Sequence, residues 1–329
     1  MTSPTDKLTQ FLDRNETLLI DGGMGTSLFD LGLHSGAPGE LWNLDHPDRV
    51  AAVHKGFVDA GSDIILTNSF GGNRFRCQMH GSGDKVRDIN VAAARVARKV
   101  ADAAGRPVIV AGSIGPSGEM LEPLGERKAA DVEEAFAEQA AALKEGGVDI
   151  AWIETMFFED EIVAAARGAE RAGLPYVMTM TFDTGGRTMM GLKPEAASQL
   201  PKKRGLHPLA FGANCGIGPA QMLDSVVGLV KGADPGTVII AKSNCGMPKV
   251  GDDMKVHYSG TPEIMADYAW LARDAGARIV GGCCGTTARH LVAMRRILDE
   301  RPKGPPPSYE EIERHLGPVK VTVDRPARK

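Results

Sequence analysis

The sequence predicts an α/β protein, a (β/α)8 TIM barrel with a short C-terminal extension. Eight short β-branched runs alternate with longer Ala-rich, charged segments of helical period. Glycines recur where each of several helices gives way to the next strand. A doubly wound open sheet usually stops near about six strands, whereas eight strand–helix units close into a barrel. A chain of 329 residues that is 43% hydrophobic can bury such a core.

In order, the strands are expected at Leu18–Asp21, Asp63–Asn68, Val108–Ala111, Ile150–Glu154, Tyr176–Thr181, Ala210–Asn214, Val238–Ser243 and Arg278–Gly281. The helices between and after them are expected at Asp48–Ala60, Asp84–Ala104, Lys128–Gly146, Asp160–Ala172, Pro194–Leu200, Gln221–Val230, Pro262–Ala275 and Thr287–Glu300. Gly61, Gly105, Gly147, Gly173 and Gly276 follow helices as left-handed C-caps. The barrel should occupy residues 1–300. Residues 301–329 begin with a stiff Pro302, Pro305, Pro306, Pro307 linker. Ser308 with Glu311 then reads as a capping box, opening a short helix that stops at Gly317. This tail is expected to pack on the barrel or, in a homo-oligomer, on a neighbouring subunit.

A net charge of −4 and a pI near 6.1 give no electrostatic reason to expect nucleic acid. No apolar run is long enough to span a membrane, and the polar N-terminus lacks a secretory apolar region. The expectation is a cytoplasmic protein. Five cysteines, an odd number with two adjacent, suit reduced thiols open to a metal rather than a disulfide framework.

In a parallel barrel the chemistry gathers where the strands end. Here those ends read Asp21-Gly-Gly-Met-Gly-Thr26, Thr67-Asn68, Glu154-Thr155, Asn214-Cys215, Asn244-Cys245 and Gly281-Gly-Cys-Cys-Gly-Thr286. Cys215 after the sixth strand and Cys283 and Cys284 after the eighth make a candidate zinc set. Three soft thiolates suit Zn2+ and leave a fourth tetrahedral position open. Adjacent residues on a regular strand face opposite ways. The chain must therefore break at Cys283, which Gly281, Gly282 and Gly285 permit. The competing reading is ordinary buried thiols or a vicinal disulfide. Cys77 and Cys245 read as spectators, and the eight histidines follow no ligand spacing, reading as surface or capping residues.

Three cysteinates over-neutralise a 2+ ion and make it a weak Lewis acid. Such a site suits a substrate thiolate acting as a nucleophile, and hence alkyl transfer to sulfur. Asp21 and Glu154 would then hold a substrate ammonium, while the backbone of Gly22, Gly23 and Thr26 cradles its carboxylate. Against this, Asp21 reads equally as a turn cap and Glu154 as the partner of an internal Arg or Lys. Asn244 is a candidate oxygen ligand to the metal or a plain turn former.

Taken together, Asp21-Gly-Gly-Met-Gly-Thr26, Thr67-Asn-Ser-Phe70, Gly115-Pro116, Glu154-Thr155, Met180-Thr-Phe-Asp183, Asn214-Cys215 and Gly281-Gly-Cys-Cys-Gly-Thr-Thr287 resemble the homocysteine S-methyltransferase family over roughly residues 18–300. The resemblance implies attack of a zinc-bound homocysteine thiolate on a methyl donor to give methionine. By position, Cys215, Cys283 and Cys284 match the family's zinc ligands, and Asp21 and Glu154 its homocysteine contacts. Asn68 joins the substrate-binding set, and Asn244 is similar to an oxygen ligand of the methionine synthase branch. The look is closest to bacterial betaine–homocysteine methyltransferases, with glycine betaine or a similar onium compound as donor. The animal betaine enzymes carry tyrosines where this chain has Thr155 and Gly71, leaving Trp42, Phe157 and Phe158 as candidate aromatic contacts. The alternative is a stand-alone homocysteine-binding subunit of a split cobalamin-dependent methionine synthase, with methylcobalamin as donor and a corrinoid protein as partner.

Overall fold

A computed structural model describes residues 4–34, 36–251 and 256–319. Eight parallel strands close into a barrel: β1 (Leu18–Ile20), β2 (Ile64–Leu66), β3 (Ile109–Ile114), β4 (Ile150–Met156), β5 (Tyr176–Met180), β6 (Phe211–Cys215), β7 (Ile239–Ser243) and β10 (Ala277–Gly282). Leu18 opposite Ile279 and Ile20 opposite Gly281 complete the ring. Between β7 and β10, β8 (Pro248–Val250) and β9 (Val256–Tyr258) form a separate antiparallel hairpin. The (β/α)8 TIM barrel expected from the sequence is the fold. The five helix-ending glycines all have positive φ, from 64° at Gly173 to 115° at Gly276.

Strand alternation sorts the apolar residues into two layers. Leu18, Ile20, Ile64, Leu66, Trp152 and Ile240 share the inner cluster. Leu19, Ile65, Val110, Ile153 and Val280 belong to the outer one, packed under the helices. The inward series continues beyond the apolar layer towards the strand ends. Trp152 is followed two residues on by Glu154, Ile240 by Lys242, and Gly281 by Cys283. Polar and thiol side chains therefore cap an apolar barrel interior at its C-terminal face.

Two local departures from expectation have plain causes. The single helix expected at Pro194–Leu200 is two short ones, Pro194–Ala197 and Leu200–Lys203. Pro201 has no N–H to continue the ladder. A helix at Pro4–Arg14 precedes the barrel, and its Leu8, Phe11 and Leu12 pack into the inner cluster. Their spacing of three and four residues is a helical stripe. At the other end, the helix Tyr309–Leu316 opens with Ser308 accepting from Glu311 N–H at 3.2 Å. It packs against the helices Pro219–Gly232 and Pro262–Asp274, burying Ile312 in the outer cluster. Buried Arg273, paired with Asp274 at 2.8 Å, donates to the Pro302 carbonyl at 2.9 Å and so ties down the linker. Among the described residues no helix is long and apolar enough to cross a membrane.

Candidate metal and acceptor site

The sulfur atoms of Cys215, Cys283 and Cys284 lie within 4.8 Å of one another at the C-terminal face, a set that could hold a metal ion. Cys215 and Cys283 are 3.5 Å apart. β10 ends at Gly282, and Gly285 at φ 79° turns the chain back, with Thr286 N–H donating to Cys283 O at 3.1 Å. This is the break that lets two adjacent cysteines face one point. Hydrogen bonds from Cys215 and Cys284, opposed by burial and helped by the Lys242 charge, hold the Cys283 thiol well below the ordinary range. Cys215 is pushed up because its proton is shared with Cys283.

Cys215 has φ 65°, and Thr155, near the end of β4 two strands away, has φ 63°. Non-glycine residues in this region are strained unless their surroundings hold them there. Asn214 does the holding. Its Oδ1 accepts from Thr155 N–H and from Thr179 Oγ1, each at 2.7 Å, and its Nδ2 donates to Thr155 Oγ1 at 2.7 Å. Nδ2 also lies 3.9 Å from Cys283 Sγ. Asn214 was legible only as the neighbour of Cys215; nothing in its spacing announces a clamp.

Below the thiols, three ionisable side chains share the lumen. Asp21 is fully buried, its Oδ2 accepting from Leu66 N–H at 2.7 Å and its Oδ1 without a hydrogen-bond partner. Glu154 accepts from Ser113 Oγ at 2.6 Å. Lys242, 3% exposed, places Nζ 3.9 Å from Asp21 Oδ1 and 4.0 Å from Glu154 Oε2. Burial pushes Asp21 up to about 7, opposed by Lys242 and the Leu66 N–H, and burial likewise raises Glu154. Burial alone would favour a neutral Lys242, but Cys283, Glu154 and Asp21 outweigh it and hold the ammonium charged. Asp21 thus bonds across to β2 instead of capping its own turn, and Glu154 has the internal cation that the competing reading named. Lys242 itself was missed. The alternation from Ile240 was the signal that would have found it.

The remaining expected residues frame this centre. A Cβ on Gly22 would run into the carbonyl of Thr286, and one on Gly23 into Thr26 Oγ1 and the Cys283 carbonyl. Gly23 N–H is committed to Thr286 O at 2.9 Å, and Thr26 Oγ1 bridges Gly23 O (3.0 Å) and Gly285 N–H (3.2 Å). The first loop and the two-cysteine loop are therefore one packed unit. Asn68 donates to Gly39 O at 2.8 Å and Asn43 Oδ1 at 3.2 Å, fixing the short helical turns that precede the helix Pro47–Asp59. Asn244 Oδ1 accepts from Cys284 N–H at 3.0 Å, and its Nδ2 donates to Gly216 O at 2.6 Å.

Tyr258, at the end of β9, was not singled out from the sequence. Its ring stands where a Cβ on Gly285 would be, and burial together with the Cys284 thiol raises its phenol well above the ordinary range. Beside Cys215 opens a cleft of about 230 Å3, lined by Thr155, Phe157, Asp183, Met189 and Asn244 among others. Cys77 lies away from the trio in the helix Arg74–Met79. Cys245 is buried 3.4 Å from His290 Nε2 and 3.3 Å from Gly260 O. His290 caps its helix with Thr287, as expected of a capping histidine. His54 is a correction: it is wholly buried, neither on the surface nor a cap.

Residues 18–298 match the family described as homocysteine S-methyltransferase. The chain is 31% identical over 302 residues to the methionine synthase of Mycobacterium leprae (strain TN), covering 87% of this chain and 24% of that protein. It is 32% identical over 301 residues to the methionine synthase of Mycobacterium tuberculosis (strain ATCC 25618 / H37Rv), covering 86% and 25%. The chain therefore spans about a quarter of the length of these relatives. In fold it is similar to the metallated form of the homocysteine methyltransferase MmuM from Escherichia coli, with TM-score 0.69, 22% identity, and 88% of this chain and 99% of that one covered. The oxidized form of the same protein gives TM-score 0.71 at 22% identity, covering 90% and 99%. With the family match running from β1 to the helix after β10, this chain belongs to the homocysteine S-methyltransferase family.

Proposed function

We propose that the protein is a zinc-dependent homocysteine S-methyltransferase of the cytoplasm, making methionine from homocysteine and a small methyl donor. The observation that carries this reading is a trio of thiols over a pair of buried carboxylates at one end of the barrel. Tetrahedral Zn–S bonds of about 2.3 Å put sulfur atoms about 3.8 Å apart. The 3.5 Å between Cys215 and Cys283 and the 4.8 Å limit over the trio fit that requirement. Cys215, Cys283 and Cys284 would hold the ion, and the second lone pair of Asn244 Oδ1 is open to it as well. When bound, zinc supplies an acceptor thiol that is ionised and nucleophilic at neutral pH.

The protein's own residues do the rest. Asp21 and Glu154 attract the acceptor's ammonium and so aim its sulfur at the thiol trio. Gly22, Gly23 and Thr26 keep the first loop close enough to the cysteine loop for one substrate to touch both. Asn244 ties the two thiol-bearing segments together through Cys284 N–H and Gly216 O, and Asn214 ties the Cys215 strand to Thr155. The cleft beside Cys215 is where a donor would approach. Phe157 offers a π face, Asp183 a negative charge and Met189 a soft apolar wall, a set suited to an onium methyl such as that of glycine betaine.

A second reading is favoured by the identity of 31–32% to methionine synthases of which the chain spans about a quarter. The chain would then present homocysteine to methylcobalamin on a separate corrinoid protein. Methionine formation from homocysteine with betaine, dimethylsulfoniopropionate, S-methylmethionine or methylcobalamin separates the two. Turnover with an onium donor is expected. Turnover with methylcobalamin alone would establish the second reading, and none at all would end both.

A further inference from the structure

The pair of carboxylates assigned to the acceptor's ammonium already faces a cation of the protein's own. Lys242 Nζ stands 3.9 Å from Asp21 Oδ1 and 4.0 Å from Glu154 Oε2, with all three side chains buried. These separations are ionic contacts and too long for hydrogen bonds. Asp21 Oδ1 has no hydrogen-bond partner, so the three groups surround a place where a polar ligand group would complete them. A simple two-carboxylate clamp would welcome any thiol with an amine. One that contains a fixed ammonium repels a bare cation and gains from an anion.

We propose that Lys242 is a specificity-determining residue for the acceptor. It admits a zwitterion, whose ammonium goes to Asp21 and Glu154 and whose carboxylate goes to Lys242, and it disfavours thiols bearing an amine alone. The proposal rests on the homocysteine reading above. It adds to that reading a charge requirement set by one residue of β7.

The test is titration calorimetry of zinc-loaded protein with homocysteine and its two half-molecules, 3-aminopropanethiol and 4-mercaptobutyrate. In Lys242→Met, the affinity for the amine relative to the carboxylate should rise by at least about tenfold over wild type. Lys242→Arg, which keeps the charge, should leave that ratio within about threefold. Lys242→Gln serves in place of the Met variant if the latter does not fold. An unchanged ratio in a folded, neutral variant overturns the role of Lys242 while leaving the homocysteine reading intact. Failure of homocysteine itself to bind the wild-type protein removes both.

Discussion

Asn214 holds Thr155 by two bonds at once, its Oδ1 accepting the Thr155 N–H and its Nδ2 donating to the Thr155 hydroxyl, both at 2.7 Å. Asn214 directly precedes Cys215, the last residue of β6, whose backbone is left-handed like that of Thr155. One side chain therefore keeps two strained residues, on two strands, in place beside the thiols. Asn214→Ala should lower zinc affinity by about 10–100-fold, the usual cost of losing a group that orients metal ligands. Chelator competition measures this, and an unchanged affinity would show that the clamp does not matter.

Zinc content should separate the five cysteines. Cys215→Ala, Cys283→Ala and Cys284→Ala are each expected to lose the metal, whereas Cys77→Ala and Cys245→Ala retain about one ion per chain. Elemental analysis of the purified variants decides. In the wild-type protein, homocysteine binding should release about one proton as its thiol ionises, read by calorimetry in buffers of different ionisation enthalpy.

Asp21 and Glu154 are predicted to act on the acceptor rather than on the metal. A charge-assisted hydrogen bond is worth about 1.5–3 kcal/mol. Asp21→Asn and Glu154→Gln should therefore raise KM for homocysteine by about 10–100-fold with zinc content preserved. Loss of zinc in either variant would contradict the assignment.

His54 predicts an acid weakness of the fold. It is buried with neither ring nitrogen hydrogen-bonded, and burial pulls its pKa from 6.5 down to about 4. The unfolded chain takes up this proton below about 6.5 while the folded chain resists until about 4. Stability is thus untouched above that window and falls as pH drops through it. The loss amounts to about 3 kcal/mol. His54→Leu should remove it, so the variant's advantage in urea unfolding grows between pH 7 and pH 4. A difference that stays constant with pH would refute this account.

Arg273 predicts where the C-terminal segment draws its stability. It is 2% exposed, paired with Asp274, and donates to the carbonyl of Pro302. Arg273→Met leaves the buried Asp274 without its partner and frees the linker. The expected cost is about 3–5 kcal/mol in urea unfolding, without loss of zinc. A smaller change would mean that the linker and the helix Tyr309–Leu316 are held mainly by Ile312.

Much of this protein was written in its local sequence. Alternating β-branched runs and helix-ending glycines decide the barrel, because period and left-handed turns are properties of a few neighbouring residues. The thiols and carboxylates were legible for the same reason: each sits directly after a strand, and strand ends converge in a closed barrel. The N-terminal helix was not expected, although the spacing of Leu8, Phe11 and Leu12 carried its signal; its partner, the barrel floor, had none. What only the tertiary structure decided is which distant groups meet. Lys242 on β7 meets Asp21 after β1 and Glu154 on β4 inside the lumen, Asn214 clamps a residue 59 positions away, and Tyr258 reaches Cys284 from a hairpin. Those pairings depend on barrel closure and on loop paths, which no short stretch of chain encodes, and they set the charge and the rigidity of the site.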